Sequence, residues 1–274
     1  SAKQATKAGG TTAMIKVTVL GAGAAPGVPS LSCGWGDCNP ENAKNLRTRT
    51  STYYDFNGTA ILIDTSPDLR LQLIRHQIKR LDGVLYTHTH ADHLHGIDDL
   101  REINRINNNS LNFYAKGDVV ETICQRFPYL IASPGCVNNV MRQPSLISNE
   151  IEHNKAFFIN NVKITPVRLI GHNAPSTGYV FNDGEFVHIA DFRAVDEEGL
   201  KQIIVRPKLL IIPLTTPYGQ KFHAGLEEVL ACIEKINPEQ AIINHMASEC
   251  DYDEIDRLTP ENVHPAYDGL TVEF

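Results

Sequence analysis

No stretch of the 274 residues approaches the roughly 18 uninterrupted apolar positions of a membrane helix, and the first residues lack the apolar core of a signal peptide. Those two absences point to a cytoplasmic protein. There is no CxxC pair either: Cys33, Cys38, Cys124, Cys136, Cys232 and Cys250 lie far apart, which in so long a chain suggests reduced thiols rather than a disulfide framework. Positive charge is not in excess, since 25 Lys and Arg stand against 32 Asp and Glu for a formal charge of −7. Broad, salt-driven adhesion to nucleic acid or to an anionic membrane is therefore not expected. Repeats, charge blocks and linker-like stretches are also missing, so residues 14–274 read as a single domain. Residues 1–13, small, polar and aperiodic, read as a tag remnant or a disordered tail.

What is present is an ordinary globular composition, 42% hydrophobic and 21% charged, able to bury a substantial core. Ile15 to Leu20 is a β-branched run that enters the loop Gly21-Ala22-Gly23-Ala24-Ala25-Pro26-Gly27. Pro26 stands where GxGxxG needs its third glycine and no helical pattern follows, so this loop is a turn rather than a dinucleotide cradle. Residues 30–49, rich in Gly, Asn, Pro and Cys, read as a long loop of the kind that borders a site. Ser51 to Phe56 and Thr59 to Asp64 flank Asn57-Gly58 as a hairpin. Ser66-Pro67 predicts a helix start, with Leu69, Leu73 and Ile74 as its buried face. Later, Phe157 to Val167 and Thr177 to Ala190 predict strand pairs, Leu209 to Pro213 and Gln240 to Asn244 buried strands, and Val195 to Ile204 and Leu226 to Ile236 helices. Strands alternating with helices predict a sheet sandwich covered by helices.

The chemistry is concentrated in Thr87-His88-Thr89-His90-Ala91-Asp92-His93-Leu94-His95-Gly96, which follows the apolar strand Asp82 to Tyr86. On an extended segment His88 and His90 project to one side, whereas Asp92 and His93 fall on the following turn and face a second location. One metal ion cannot use all four comfortably. Imidazole and carboxylate without thiolate suit zinc, manganese or iron, and a catalytic ion keeps a position open for water. The cluster follows a buried apolar strand, and distant histidines stand just beyond other predicted strands.

HxHxDHxxG, complete here, is the signature of the metallo-β-lactamase superfamily, which this chain resembles over almost all of residues 14–274. The resemblance implies an α/β fold, an αββα sandwich with two divalent ions, Zn or Mn, at one edge. It implies that His88, His90 and His172 hold one ion, that Asp92, His93 and His245 hold the other, and that Asp191 bridges them. Gly27-Val28-Pro29, Arg47-Thr48-Arg49-Thr50-Ser51, His95-Gly96-Ile97-Asp98-Asp99-Leu100-Arg101 and the segment Pro260 to Gly269 are similar to the branch holding the PhnP-type cyclic phosphodiesterases of phosphonate breakdown. In that branch a histidine before the penultimate helix assists catalysis, and His223 matches it. Asp92 and His223 are accordingly the candidate catalytic residues. The branch also implies a homodimer and a structural zinc. The zinc is in doubt here, because Cys33, Cys38 and Cys250 are ill-spaced for it and Ser248 stands in the histidine's place.

The expected activity is hydrolysis of a small phosphodiester, cyclic nucleotide-like esters included, by hydroxide held between the two ions. Thioester or lactone hydrolysis on the same centre is the alternative, ahead of a tRNase Z-like nuclease and of a non-catalytic sensor. Arg47, Arg49 and Arg101 are candidate phosphate contacts, although arginines more often serve ion pairs. His95 and His264 are candidates for groups behind the ligands. His76, His153 and His188, outside any motif, read as surface or core residues.

Overall fold

The computed structural model describes residues 14–132 and 146–274; the leading tail and Cys136 lie outside the described residues. Strands β1 (Ile15–Gly21), β2 (Ser51–Phe56), β3 (Thr59–Ile63), β4 (Gly83–Leu85), β5 (Leu111–Lys116) and β6 (Leu146–Ile151) lie side by side in that order. The first three are antiparallel and β3 to β6 run parallel. The β2–β3 hairpin turns at Asn57 and Gly58, whose φ values of 51° and 94° fit the dipeptide that predicted it. A second sheet holds β7 (Phe157–Ile159), β8 (Val162–Ile170), β9 (Ser176–Phe181), β10 (Phe186–His188), β11 (Ala194–Val195), β12 (Leu209–Pro213), β13 (Gln240–Asn244) and β14 (Val263–Pro265). Its order is β11-β8-β9-β10-β12-β13-β14, with β7 beside β8, and β15 (Thr271–Glu273) returns to pair with β1.

Burial on both faces explains the unbroken apolar runs of β3 and β4. Ile61, Ile63 and Leu85 enter the layer between the sheets, where Val17, Tyr54 and Phe56 meet Ile164, Phe181 and Phe186. Leu62, Val84 and Tyr86, one residue out of phase, face the helices. There α1 (Leu69–Arg75), α2 (Ala91–Leu94), α3 (Leu100–Asn107) and α4 (Gly117–Arg126) contribute Leu69, Leu94, Ile103 and Ile123. After α5 (Glu197–Leu200), α6 (Leu226–Ile236) packs on the second sheet through Val229 and Ile233, and α7 (Tyr252–Leu258) adjoins β14. The expected αββα sandwich is the fold. Among the described residues no helix is long and apolar enough to cross a membrane.

Two helix expectations need correction. Helix α1 starts at Leu69, because Ser66 Oγ accepts from the Asp68 amide and Ser66 O from that of Leu69, making a turn first. Its buried face is Leu69, Gln72 and Leu73, while Ile74 is 61% exposed. The helix expected over Val195 to Ile204 is a single turn, α5, because Val195 is drawn into pairing with Leu169 and the Ile204 amide is pinned to Asp183 O.

Parallel strands determine where the chemistry collects. Strands β10, β12 and β13 are parallel, as are β3 and β4, so their C-terminal ends open on a common edge, the usual crevice of such sheets.

Candidate metal centre

At that edge β3 delivers Asp64, β4 is followed by Thr87 and His88, β10 by Asp191, β12 by Thr215, and β13 by His245. Asp64 and His245 both adopt left-handed backbone, φ 59° and 56°, a conformation that non-glycine residues adopt only where the surroundings hold them. For Asp64 the restraint is visible: its amide donates to Leu85 O at 2.9 Å, and its carboxylate accepts from Thr87 N at 2.8 Å and Thr87 Oγ1 at 2.7 Å. His90 precedes the one-turn helix α2, which turns Asp92 and His93 inward. Gly96 closes the motif because α2 lies directly on the β3–α1 loop. The Gly96 amide donates to Thr65 O, and a Cβ at Gly96 would stand 1.9 Å from Ser66 O.

All seven expected ligands are brought together. Their donor atoms form two groups, His88, His90, His172 and Asp191 in one, Asp92, His93 and His245 in the other, each within 4.8 Å. This is the division that the period-two and turn reading predicted for the motif. Asp191 lies between the groups: Oδ2 is 3.7, 3.6 and 3.7 Å from Nε2 of His88, His172 and His93, and Oδ1 is 3.3 Å from His245 Nε2. Asp92 Oδ2 is 3.3 Å from His93 Nε2 and 3.2 Å from His245 Nε2.

These residues fit divalent ions. His88 Nε2, His172 Nε2 and Asp191 Oδ1 are buried without hydrogen-bond partners, although buried polar atoms are nearly always paired. A divalent cation held by these groups would satisfy such atoms, and imidazole nitrogens with carboxylate oxygens are donors of the kind such ions take. The electrostatics agree. Burial holds His88 well below its ordinary value and pushes His172 down to about 4, leaving both as neutral imidazoles, the form that ligates. Burial would lower His93 and His245 too, but Asp92 and Asp191 outweigh it and raise both. Burial also opposes the charge on Asp92 and Asp191, and the imidazoles facing them hold both carboxyls well below the usual range. Carboxylates that draw protons onto buried histidines would draw a divalent cation in the same way.

His223 stands outside both groups, on the wall of a cavity of about 310 Å³ that also exposes His90, Asp92, Asp191 and His245. A turn in which Gln220 and His223 exchange backbone hydrogen bonds presents it. Its ring lies 5.0 Å from that of His172, and burial lowers its pKa, with Asp191 opposing.

The remaining expectations separate. Arg47 is buried and donates to Asn45 Oδ1 and Ala247 O, and Arg49 pairs with Asp68 through two nitrogens, so both hold loops together rather than meet a phosphate. Arg101 pairs with Asp98. His264 is partnered by Asp256 away from the cavity, and exposed His95 edges against Phe127, so neither backs a ligand. Cys33 is an exposed thiol on the cavity wall. Cys38 and Cys250 are buried, and burial raises both thiols, Cys250 to about 12.

The groups behind the candidate donors escaped sequence reasoning. Asp64 Oδ2 lies 2.7 Å from His93 Nδ1, Thr87 Oγ1 3.0 Å from His88 Nδ1, and Ala174 O 3.2 Å from His172 Nδ1. Thr215 Oγ1 lies 3.1 Å from His245 Nδ1 and 3.2 Å from His223 Nδ1. Asp64 and Thr215 share with Asp191 a place just after a buried strand.

A family model described as a beta-lactamase superfamily domain matches residues 59–246. The chain is 30% identical over 258 residues to an octanoyltransferase of Porphyromonas gingivalis, covering 93% of this chain and 51% of that protein. It is 32% identical over 155 residues to coenzyme PQQ synthesis protein B of Bradyrhizobium diazoefficiens, covering 51% of this chain and 47% of that protein. The chain thus spans about half the length of the curated relatives it matches. Among solved structures, a diphosphatase of the PhnP family superposes with a TM-score of 0.83 at 27% identity, covering 95% of this chain and 98% of that one.

Proposed function

From the match over residues 59–246, the chain belongs to the beta-lactamase superfamily and is a hydrolase of the metallo-β-lactamase fold, and we propose that it hydrolyses small phosphodiesters, cyclic nucleotide-like esters among them, with two divalent ions, zinc or manganese. The observation that carries this is the pair of donor groups, with Asp191 of the first only 3.3 Å from His245 of the second, beside the cavity that His223 lines. The likeness to a PhnP-family diphosphatase over nearly the whole length of both chains supports a phosphoryl compound as substrate.

His88, His90 and His172 would hold one ion and Asp92, His93 and His245 the other, with Asp191 offering an oxygen to each. Bound there, such ions supply Lewis acidity and a water that ionises near neutral pH. The chain's own residues do the rest. Asp64, Thr87 and Ala174 O orient three imidazoles, so the donors face inward before any substrate arrives. Asp92 lies between His93 and His245 on the cavity wall, where it positions the substrate side of the second group. His223, on the same wall, donates a hydrogen bond to the departing ester oxygen as charge develops on it.

A second reading, hydrolysis of a thioester or lactone on the same centre, is favoured by the 30% identity to a protein called an octanoyltransferase, an acyl-transfer name. One experiment separates the two. Metal content is measured by elemental analysis, and turnover of bis-p-nitrophenyl phosphate, 2′,3′-cyclic nucleotides, a thioester and a lactone is followed before chelation, after it, and after metal is restored. Restorable phosphodiester turnover is the expected result. Acyl turnover alone would replace the first reading with the second, and a protein that takes up no metal under any loading would overturn both.

A further inference from the structure

One hydroxyl stands between the residue proposed to assist the leaving group and a residue proposed to hold an ion. Thr215 follows β12, and its position is secured by the main chain: its carbonyl accepts from the Ala247 amide at 3.0 Å. Its Oγ1 is 3.1 Å from His245 Nδ1 and 3.2 Å from His223 Nδ1. A hydroxyl has one proton and can donate in one direction while accepting from the other.

Ligation of an ion by His245 would set the direction. His245 Nε2 faces Asp92 Oδ2 and Asp191 Oδ1, at 3.2 and 3.3 Å, inside the second donor group. An imidazole that ligates through Nε2 keeps its proton on Nδ1, and its orientation is fixed by what accepts that proton. Here the acceptor is Thr215 Oγ1. With its lone pair so engaged, the Thr215 hydroxyl points its own proton at His223 Nδ1. Only the neutral tautomer with a bare Nδ1 accepts it, and that tautomer carries its proton on Nε2, the nitrogen left to the cavity.

We infer that Thr215 is a positioning residue that passes the orientation of the metal centre to His223, holding it as the Nε2-protonated tautomer that donates to the substrate. This rests on the role proposed for His223 above. No proton is consumed: His245 donates to Thr215, Thr215 to His223, and His223 to the departing oxygen, each as a hydrogen bond. The proton that appears on the product alcohol comes from the water that is split. In the absence of an ion His245 is free to reverse, so the tautomer of His223 becomes a reporter of occupancy at the second group.

The test uses Thr215→Val, nearly isosteric but without the hydroxyl, with Thr215→Ser and His223→Gln beside it. Each protein is loaded with zinc to a verified full stoichiometry, kcat and KM are measured on bis-p-nitrophenyl phosphate, and the imidazole nitrogens are observed by 15N NMR. Thr215→Val is expected to lose about 10–100-fold in kcat with KM little changed, the usual range for a group one step behind the chemistry. Thr215→Ser is expected to restore most of it. In the wild type His223 should show a pyridine-type Nδ1 and a pyrrole-type Nε2, and in Thr215→Val the two signals should move toward an average. A kcat for Thr215→Val that returns to the wild-type value once zinc is saturating would overturn the relay and leave Thr215 as a support for His245 alone. If His223→Gln is fully active, the role proposed for His223 fails instead. The NMR signals decide the tautomer whichever substrate is turned over: a pyrrole-type Nδ1 on zinc-loaded wild-type His223 would overturn the inference.

Discussion

His88 and His172 lean on a hydroxyl and a peptide carbonyl, Thr87 Oγ1 at 3.0 Å and Ala174 O at 3.2 Å, whereas His93 leans on the Asp64 carboxylate at 2.7 Å. The first donor group is backed by neutral acceptors, and burial leaves His88 and His172 below their ordinary values. The second has an acid behind it as well as Asp92 within it, and His93 and His245 are raised in spite of burial. Three or four donors at similar spacing thus make two unequal traps for a cation. The acid-backed group should hold its ion more tightly, since a carboxylate behind a ligating imidazole increases its basicity.

Removing the residue that lies between the two groups should erase the difference. Asp191→Ala is expected to bind fewer than two ions and to lose more turnover than any other single change, with elemental analysis as the check; full retention of two ions would remove Asp191 from between them. His223→Ala removes a member of neither group. It should leave metal content intact and lower turnover by about 10²–10⁴, the range for a positioned acid or donor, and an unchanged kcat would end its catalytic assignment.

Asp64→Asn sharpens the comparison further. On stepwise chelation of the wild type the ion at Asp92, His93 and His245 should leave last, and the substitution should weaken that ion by about 10–100-fold and bring the two losses together. Two identical chelation curves would show that the carboxylate behind His93 does not set the order.

The smallest effect lies behind both groups, at His188, which meets Tyr54 OH at 3.0 Å in the layer between the sheets. Burial pushes it down to about 3 from 6.5, so the folded protein keeps it neutral while the unfolded chain takes up a proton. Its share of stability is therefore complete above pH 6.5 and lost as the pH falls from there toward 3. His188→Gln should flatten the fall in Tm between pH 6.5 and pH 4 relative to the wild type. Parallel curves for the two proteins would refute this.

The clustered donors were legible in part from local pattern and in part from the resemblance that named the later three. His88, His90, Asp92 and His93 share ten residues with a change from strand to turn, and His172, Asp191 and His245 each close an apolar run. The β2–β3 hairpin was equally legible in Asn57-Gly58. Val195 to Ile204 was misread because helical spacing over ten residues does not reveal that Val195 is claimed by Leu169 across a sheet. Arg47 and Arg49 were open to two uses, and only the loop they tie together decided between them.

The amino-acid sequence by itself determined the separation of His88 and His90 from Asp92 and His93 and the strands and helices of the sandwich, because strand period and turn chemistry are properties of short segments; the later donors followed from the resemblance. Tertiary structure alone decided which atoms stand behind those donors. Asp64 reaches His93 across 29 residues and Thr215 reaches His245 across 30, contacts set by which parallel strands end beside one another. A hydrogen bond acts over about 3 Å and depends on direction, so its partner is known only when the strands bring the chain together.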